Sequence, residues 1–191
     1  MQNIKQYVDA HMAELYALLK ELCLIPAPSH HEEKRAEFCK AWIESQGADG
    51  VYIDDAKNCV YPINCDGSDN IVVFMAHTDT VFPDETGFEV KSDGEKFYAP
   101  GVGDDTMSLA IMMMVTKYII KNNICPKCGV LIVANSCEEG LGNLKGSKAI
   151  VEKYGHRMRE LITLDGASME YIVNEAVGSH RYRVTVKTEG G

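Results

Sequence analysis

The sequence contains no apolar run long enough to cross a membrane. Its most apolar segment, LAIMMMVTKYII, is interrupted by Thr116 and Lys117 and is shorter than the ~20 apolar residues that a spanning helix needs. The first twenty residues, MQNIKQYVDAHMAELYALLK, have a helical spacing of apolar positions and lack the apolar core of a signal peptide. We therefore expect a cytoplasmic protein without a membrane partner.

Positive charge is also scarce. The chain has 19 lysines and arginines against 28 aspartates and glutamates, which gives a formal net charge of −9 at pH 7. Because such a surface repels phosphates, we expect no nucleic-acid partner and no anionic membrane. The same excess of carboxylates suits a protein that binds cations, so charge alone does not choose a function.

A disulfide framework is missing as well. The seven cysteines are odd in number and have no repeating spacing, which predicts reduced thiols. The sequence has no internal repeats and no low-complexity tracts. Its 191 residues are enough for one sizeable domain with a hydrophobic core that needs no disulfides.

Helices and strands alternate along the chain. Apolar spacing predicts helices over 2–23, from the capping box Ser29–Glu32 to about 46, and in the segments TMSLAIMMMVTKYIIKN and NLKGSKAIVEKYG. Strands are predicted at 51–53 and 58–63 and in the segments NIVVFMA, GVLIVAN, RELITLDG and YIVNEAV. This order predicts an α/β fold of three layers, α/β/α, with a mixed, mostly parallel sheet.

The last residues have a different pattern. HRYRVTVKT alternates apolar and polar residues, which predicts a half-exposed antiparallel strand. No residues follow that could pair with it in a new sheet. We therefore expect residues 1–178 to be the N-terminal part of one domain, and 179–191 to be the incomplete start of another.

Metal-binding residue types gather where the apolar strands end. His77 and Asp79 follow NIVVFMA, the pair Glu138 and Glu139 follows GVLIVANSC, and Asp165 follows RELITL. Each has a plain alternative, such as a surface ion pair or a turn residue. Ligands of open α/β sheets bind at the carboxyl ends of the strands, so the joint placement predicts one shared site.

A further acidic pair, Asp104 and Asp105, lies in the loop APGVGDDTM before a predicted helix, where helix capping would be the plain explanation. Histidine with carboxylates suits Zn²⁺, Mn²⁺ or Co²⁺, and one carboxylate can bridge two such ions. Asp79 is placed to orient the imidazole of His77. Of two adjacent glutamates, one can bind a metal while the other accepts a proton from water.

These motifs together resemble the M20 family of metallopeptidases, which includes peptidase T-type tripeptidases, dipeptidases, carboxypeptidase G2-like enzymes and amino-acid deacylases. The segments that carry the resemblance follow in order over nearly the whole chain: His77–Val81, Gly101–Asp105, Glu138–Gly140 and Asp165–Gly166. The departure at Thr106–Ser108, where many members have Lys-Gly or Lys-Ala-Gly, affects no ligand position.

The resemblance implies a role for each residue. His77 and Asp165 would bind the first metal, Asp104 would bridge both metals, and Glu139 would bind the second. Glu138 would be the general base. Asp79 would orient His77. The family often has a cis peptide after the bridging aspartate, here between Asp104 and Asp105.

The family's second metal also takes a histidine from beyond an inserted lid domain, and this sequence offers no evident substitute. We do not expect the remaining histidines, His11, His30, His31, His156 and His180, to replace it. The resemblance thus implies two divalent metal ions, Zn²⁺ first and Mn²⁺ or Co²⁺ otherwise, with one ion or none in this chain. The lid would also offer a route to a homodimer.

The implied activity is metal-dependent hydrolysis of an amide bond in small peptides by metal-activated water. Asp165 rather than Glu favours the aminopeptidase, dipeptidase and tripeptidase branches. The alternatives are a deacylase of N-acyl amino acids or a carboxypeptidase, and, outside catalysis, an inactive catalytic fragment or a binding module.

Other motifs are set aside. Gly101-Val102-Gly103 lacks the third glycine of a dinucleotide loop, and GNLKGSK has the letters of a phosphate loop in the wrong order. Cys125 and Cys128 form a lone C-x-x-C without the second pair of a zinc knuckle. The methionines 112–114 are assigned to the core, and Cys137 is interpreted as an inert buried thiol.

Overall fold

The structure is a computed structural model that describes residues 4–83, 88–166, 170, 172–178, 180 and 182–190. Positions 2, 3, 171, 179, 181 and 191 fall in predicted segments but lie outside the described residues. No helix in the described ranges is long and apolar enough to cross a membrane. All seven cysteines are described and are free thiols, as predicted.

The helices and strands follow the predicted order. The four α-helices are α1 (Ile4–Cys23), α2 (Glu33–Ser45), α3 (Met107–Lys121) and α4 (Lys145–Tyr154). The seven strands assigned in the described residues are β1 (Tyr52–Ile53), β2 (Cys59–Ile63), β3 (Ile71–His77), β4 (Lys91–Ser92), β5 (Phe97–Tyr98), β6 (Gly129–Asn135) and β7 (Met158–Thr163). The small antiparallel pair of β4 with β5 was not predicted from the sequence.

The main sheet has the strand order β1-β2-β6-β3-β7. Strand β3 runs parallel to both β6 and β7, while β2 pairs antiparallel with β6 and with β1. The register places His77 opposite Asn135, so β3 and β6 end side by side. Residues that follow these strands therefore emerge at the same edge of the sheet.

Helices cover both faces of this sheet. On one face, α1, α2 and α3 pack in a core that includes Leu19, Met113 and Ile132. On the other, Ile150 and Tyr154 of α4 pack in a core with Leu131 and strands β2 and β3. Consecutive residues of β6 thus enter opposite cores, which explains its uninterrupted apolar sequence. The three-layer α/β/α fold and the mixed sheet are confirmed.

The predicted capping box before α2 is wrong. The helix begins at Glu33, and Glu32, which precedes it, makes no side-chain cap. The Ser29 hydroxyl instead donates to Asp79 Oδ2 at 2.6 Å. The Glu32 side chain is fully buried and accepts the main-chain N–H of Cys137. The Ser29 hydroxyl thus donates to a distant carboxylate, and the Glu32 carboxylate accepts a distant main-chain N–H, so neither side chain caps α2.

The two predicted C-terminal strands are also not observed in the described part of 171–188. No strand is assigned in 172–178 or 182–190, and Ile172 and Val177 are each 95% exposed. Alternation of apolar and polar residues does not make a strand when no neighbouring strand hydrogen-bonds to it. The domain boundary between 178 and 179 stays a prediction.

Candidate metal centre

His77 is the last residue of β3 and is only 2% exposed. Its main-chain N–H donates to Asp105 Oδ2 at 2.9 Å. The ring nitrogen Nδ1 lies 2.9 Å from the main-chain oxygen of Asp79, and Nε2 lies 3.0 Å from Asp104 Oδ1. With Nδ1 donating to the carbonyl, Nε2 is the nitrogen directed toward the cluster of carboxylates.

Burial opposes a positive charge on this ring. The interaction with Asp79 and the negative charges of Asp105 and Glu138 outweigh burial, and together they raise the pKa of His77 to about 10. The imidazole therefore lies in a strongly negative environment. This environment favours a positive charge, either on the ring itself or on a cation beside it.

Asp79 has a wider set of contacts than its predicted partnership with His77. Its carboxylate Oδ1 is 3.5 Å from His77 Nδ1, farther than the main-chain oxygen. The two carboxylate oxygens of Asp79 together accept three hydrogen bonds. The donors are the Ser29 hydroxyl and the main-chain N–H groups of Glu138, at 2.9 Å, and Glu139, at 3.1 Å. Burial opposes its charge, but the nearby His77 imidazole and the hydrogen bonds from Ser29 and Glu138 lower the pKa of Asp79. Asp79 thus links the end of β3 to the glutamate pair after β6.

The two aspartates before α3 face different surroundings. They lie in an irregular turn, Val102–Thr106, and the peptide bond between Asp104 and Asp105 is cis, as the resemblance implied. The Asp104 side chain is 69% exposed. Asp105 is buried, its Oδ1 has no hydrogen-bond partner among the described residues, and burial raises its pKa to about 7.

Gly101 begins this turn with φ +65°, and a Cβ there would lie 2.5 Å from Thr80 Cγ2. The turn that carries the aspartates therefore packs directly on the segment that follows β3. A side chain at this position would force the two segments apart.

Glu138 and Glu139 leave the end of β6 after Cys137, whose φ of 52° turns the chain sharply. Burial and the negative charges of Asp165 and Glu139 raise the pKa of Glu138. Burial and the negative charge of Asp104 raise the pKa of Glu139. Both shifts mean that ionising the pair is costly as long as no cation lies beside it.

Five of the predicted site residues supply ligand atoms that lie within 4.8 Å of one another in two groups, His77 with Asp104 and Glu139, and His77 with Glu138 and Asp165. Asp165 follows β7 and is exposed. The two groups share His77, whereas the resemblance implied that Asp104 is the shared ligand. Among the described residues these groups contain no second histidine.

The donor set fits divalent cations of the zinc, manganese or cobalt type. One imidazole and four carboxylates form a mixed nitrogen and oxygen set, which these ions accept. Burial and neighbouring negative charges raise the pKa of both Glu138 and Glu139, and a dication beside them would favour their ionised forms. The predicted residues are therefore compatible with bound metal in both chemistry and position.

Three residues that shape this centre were not assigned to it from the sequence. Ser29 and Glu32 were interpreted only as a helix cap, and Asp105 only as a neighbour of Asp104. The sequence signal was present for Asp105, because the motif contains a second aspartate. Ser29 and Glu32 contact residues 50 and 105 positions away, which no local pattern reveals.

Cys137 was set aside as a nucleophile, and its surroundings agree. The thiol is buried, and burial together with Glu32 raises its pKa to about 11. Because the thiolate is the reactive form, a thiol with this pKa is a weak nucleophile at neutral pH.

The sequence model of peptidase family M20/M25/M40 matches residues 73–187, which include all six predicted site residues. The chain belongs to this family. No curated protein matches the chain significantly in sequence.

Several solved structures share the fold of this chain. A tripeptidase from Staphylococcus aureus is 23% identical, with a TM-score of 0.62 over 81% of this chain and 43% of that one. Human carnosine dipeptidase 1 is 15% identical, with a TM-score of 0.67 over 86% and 41%. The YXEP protein of Bacillus subtilis, described as a dinuclear metal binding M20 peptidase, is 15% identical, with a TM-score of 0.59 over 83% and 44%. This chain thus spans less than half the length of each of these proteins.

Proposed function

We propose that this M20 family member is a metal-dependent peptidase that hydrolyses an amide bond in small peptides with a free amino terminus. The observation that carries the proposal is the convergence of His77, Asp104, Glu138, Glu139 and Asp165 at the carboxyl edge of the parallel strands, with ligand atoms within 4.8 Å of each other in two groups. The family assignment supplies the reaction class.

His77, Asp104, Glu139 and Asp165 would be the ligands that this chain contributes to a centre of two divalent ions, Zn²⁺ first and Mn²⁺ or Co²⁺ otherwise. Bound ions of this kind withdraw electron density from a scissile carbonyl and make a nearby water easier to deprotonate. The dinuclear metal binding attributed to the YXEP protein supports this count.

Glu138 is the proposed general base. Its carboxylate accepts a proton from the water that attacks the carbonyl carbon, and delivers that proton to the amine nitrogen as the carbon–nitrogen bond breaks. Burial raises the pKa of Glu138, which makes its carboxylate a better proton acceptor. Asp79 holds the main-chain N–H of Glu138 and so restricts where this carboxylate lies.

We propose peptides with a free amino terminus as substrates, in preference to N-acyl amino acids. An aspartate at position 165 resembles the aminopeptidase and tripeptidase branches of the family. Two proteins of similar fold are also named as a tripeptidase and a dipeptidase. A deacylase would instead prefer an acylated amino group, so matched free and N-acetylated peptides distinguish the two.

The decisive experiment measures metal content and peptide hydrolysis for the chain and its Glu138→Gln variant. We expect wild type to retain divalent metal after dialysis and to cleave di- or tripeptides. The variant should keep its metal but lose activity by at least about 100-fold, because general base catalysis contributes that much. Glu152→Gln, an exposed glutamate of α4, is the control and should behave as wild type.

Full activity of Glu138→Gln would contradict the assignment of the base. A wild-type chain that binds no metal and cleaves no peptide at any divalent ion concentration would contradict the proposed function of this chain, and would favour an inactive catalytic fragment or a binding module. One bound ion without turnover would favour the same alternative.

A further inference from the structure

Three consecutive main-chain N–H groups beside the metal centre donate to carboxylates. That of Cys137 donates to Glu32 Oε1 at 3.0 Å. Those of Glu138 and Glu139 donate to Asp79 at 2.9 and 3.1 Å. Hydrogen bonds to ionised acceptors are stronger than bonds between neutral groups. The segment that carries both glutamates is therefore held from two sides, by Asp79 after β3 and by Glu32 before α2.

Glu32 is an unusual group to find at this depth. Its side chain is fully buried, and its Oε2 has no hydrogen-bond partner among the described residues. The ammonium of Lys57 lies 3.9 Å from that oxygen. Burial of a carboxylate costs free energy unless its bonds compensate. The hydrogen bonds that Glu32 makes must therefore offset the free-energy cost of its burial.

The contacts of Glu32 go to two segments. Its Oε1 accepts the main-chain N–H of His30 at 2.8 Å, which closes the turn before α2. The same oxygen accepts both the main-chain N–H and the thiol of Cys137, at 3.0 and 3.2 Å. One carboxylate oxygen thus ties the connection between α1 and α2 to the end of β6.

The residue that Glu32 holds is the one at which the chain turns. Cys137 has φ +52°, a left-handed conformation that residues with a Cβ rarely adopt. Gly142 packs against it so closely that a Cβ there would lie 2.6 Å from Cys137 O. A conformation of this kind persists only where its surroundings fix it. The direction in which Glu138 and Glu139 leave β6 depends on this turn.

We infer that Glu32 is a positioning residue for the glutamate pair: by accepting the main-chain N–H of Cys137, it fixes the turn that directs Glu138 and Glu139 into the metal centre. This inference rests on the proposed function for its effect on turnover. The positioning itself is a property of the chain that can be measured without substrate.

The test compares Glu32→Ala and Glu32→Gln with wild type in the full chain. Glu33→Gln is the matched control, because Glu33 pairs with Lys57 but makes none of the bonds to Cys137. The first readout is hydrogen exchange of individual main-chain amides by NMR. Glu32→Ala should speed exchange of the Cys137, Glu138 and Glu139 amides by about tenfold or more, with β6 unchanged, because only local opening becomes easier.

The second readout is steady-state kinetics with metal bound. Glu32→Ala should lower kcat by about 10-fold to 100-fold and change KM by less than about threefold, since the base is misplaced while substrate contacts persist. Glu32→Gln keeps an oxygen acceptor at Oε1 and should recover part of both the amide protection and kcat. Glu33→Gln should match wild type in both.

Equal exchange of the three amides in Glu32→Ala and Glu33→Gln would overturn the inference. So would faster exchange that spreads equally through β6, since that would show only general loss of stability. If Glu32→Ala does not fold, Glu32→Met, which fills a similar space without a carboxylate acceptor, is judged against Glu33→Gln by the same criteria. If wild type cleaves no peptide, the proposed function fails, and the exchange measurement still decides whether Glu32 positions the segment.

Discussion

At the scale of single residues, buried carboxylates accept hydrogen bonds from the main-chain segments around the candidate metal centre. Asp79 accepts the hydroxyl of Ser29 and two consecutive main-chain N–H groups after β6, and Asp105 accepts the main-chain N–H of His77. Glu32 adds a third acceptor beside Cys137. These groups hold the main chain around the centre, whereas the carboxylates of Asp104 and Asp165 are more exposed.

Buried thiols give the first residue-scale prediction. Burial raises the pKa of Cys39 from 9.0 to about 12. The folded protein therefore keeps a proton that the unfolded chain releases between these values. The stability from this thiol is complete below pH 9 and is lost as pH rises toward 12, with a slope of up to about 1.4 kcal/mol per pH unit.

Urea unfolding from pH 8 to pH 11 measures that slope, with the free energy of unfolding at each pH extrapolated linearly to zero urea. Cys39→Ala should have a shallower loss of stability with pH than wild type. Cys125→Ala removes an exposed thiol and should leave the slope unchanged. Parallel profiles for wild type and Cys39→Ala would contradict the assignment.

At the scale of elements, the contact between α4 and the end of β6 stands out. Gly146 lies in the first turn of α4, and its main-chain N–H donates to Ser136 O at 3.2 Å. Asn58 donates its side-chain amide to Gly146 O at 3.0 Å and accepts the main-chain N–H of Ser136. Helix, strand end and loop meet there directly before Cys137 and the glutamate pair.

Gly146→Ala should weaken this contact. A Cβ at that position would lie 2.3 Å from Asn58 Oδ1 and 2.4 Å from Ser136 O, so the helix must shift. We expect a loss of about 1–3 kcal/mol in the free energy of unfolding, the usual cost of overpacking, measured by chemical denaturation.

Gly155→Ala, at the end of the same helix, is the control. A Cβ there meets only Val151 Cγ1, at 3.4 Å, and the main chain is helical. Alanine should therefore be neutral or add up to about 1 kcal/mol by restricting the unfolded chain. Similar losses for both variants would show that close packing at Gly146 is not the cause.

At the scale of the whole molecule, folding brings together the proposed metal ligands, which come from four segments of the sequence. Three of these segments follow the carboxyl ends of β3, β6 and β7, and the fourth is the turn before α3. The unfolded chain has no such cluster, so a bound metal should stabilise the folded state selectively.

Thermal unfolding of the chelated protein should therefore respond to added Zn²⁺ or Mn²⁺. At an ion concentration about 100 times Kd, the gain in the free energy of unfolding is about 2.7 kcal/mol for one site. Excess chelator should reverse it. Asp104→Asn with Glu139→Gln should remove most of the gain, while Glu152→Gln should keep it. An identical melting temperature with and without metal would argue against a metal centre in this chain.

The sequence by itself determined the order of α1 to α4, the five strands of the main sheet and the α/β class, because apolar periodicity is a local property of the chain. It also brought His77, Glu138 and Asp165 to attention, since polar residues directly after buried strands are conspicuous in any window of sequence. The family followed from these motifs and is confirmed by the match over 73–187.

Tertiary structure alone decided the rest. Ser29 and Glu32 form a local capping motif in the sequence, but in the fold they hydrogen-bond to residues 50 and 105 positions away. These partners come close only when the chain is packed, so no local pattern predicts them. Tertiary structure likewise decides that the alternating C-terminal residues form no strand in the described part, since a strand needs a neighbour to hydrogen-bond with. Local pattern fixes what a segment tends to become, and long-range contacts fix which side chains meet.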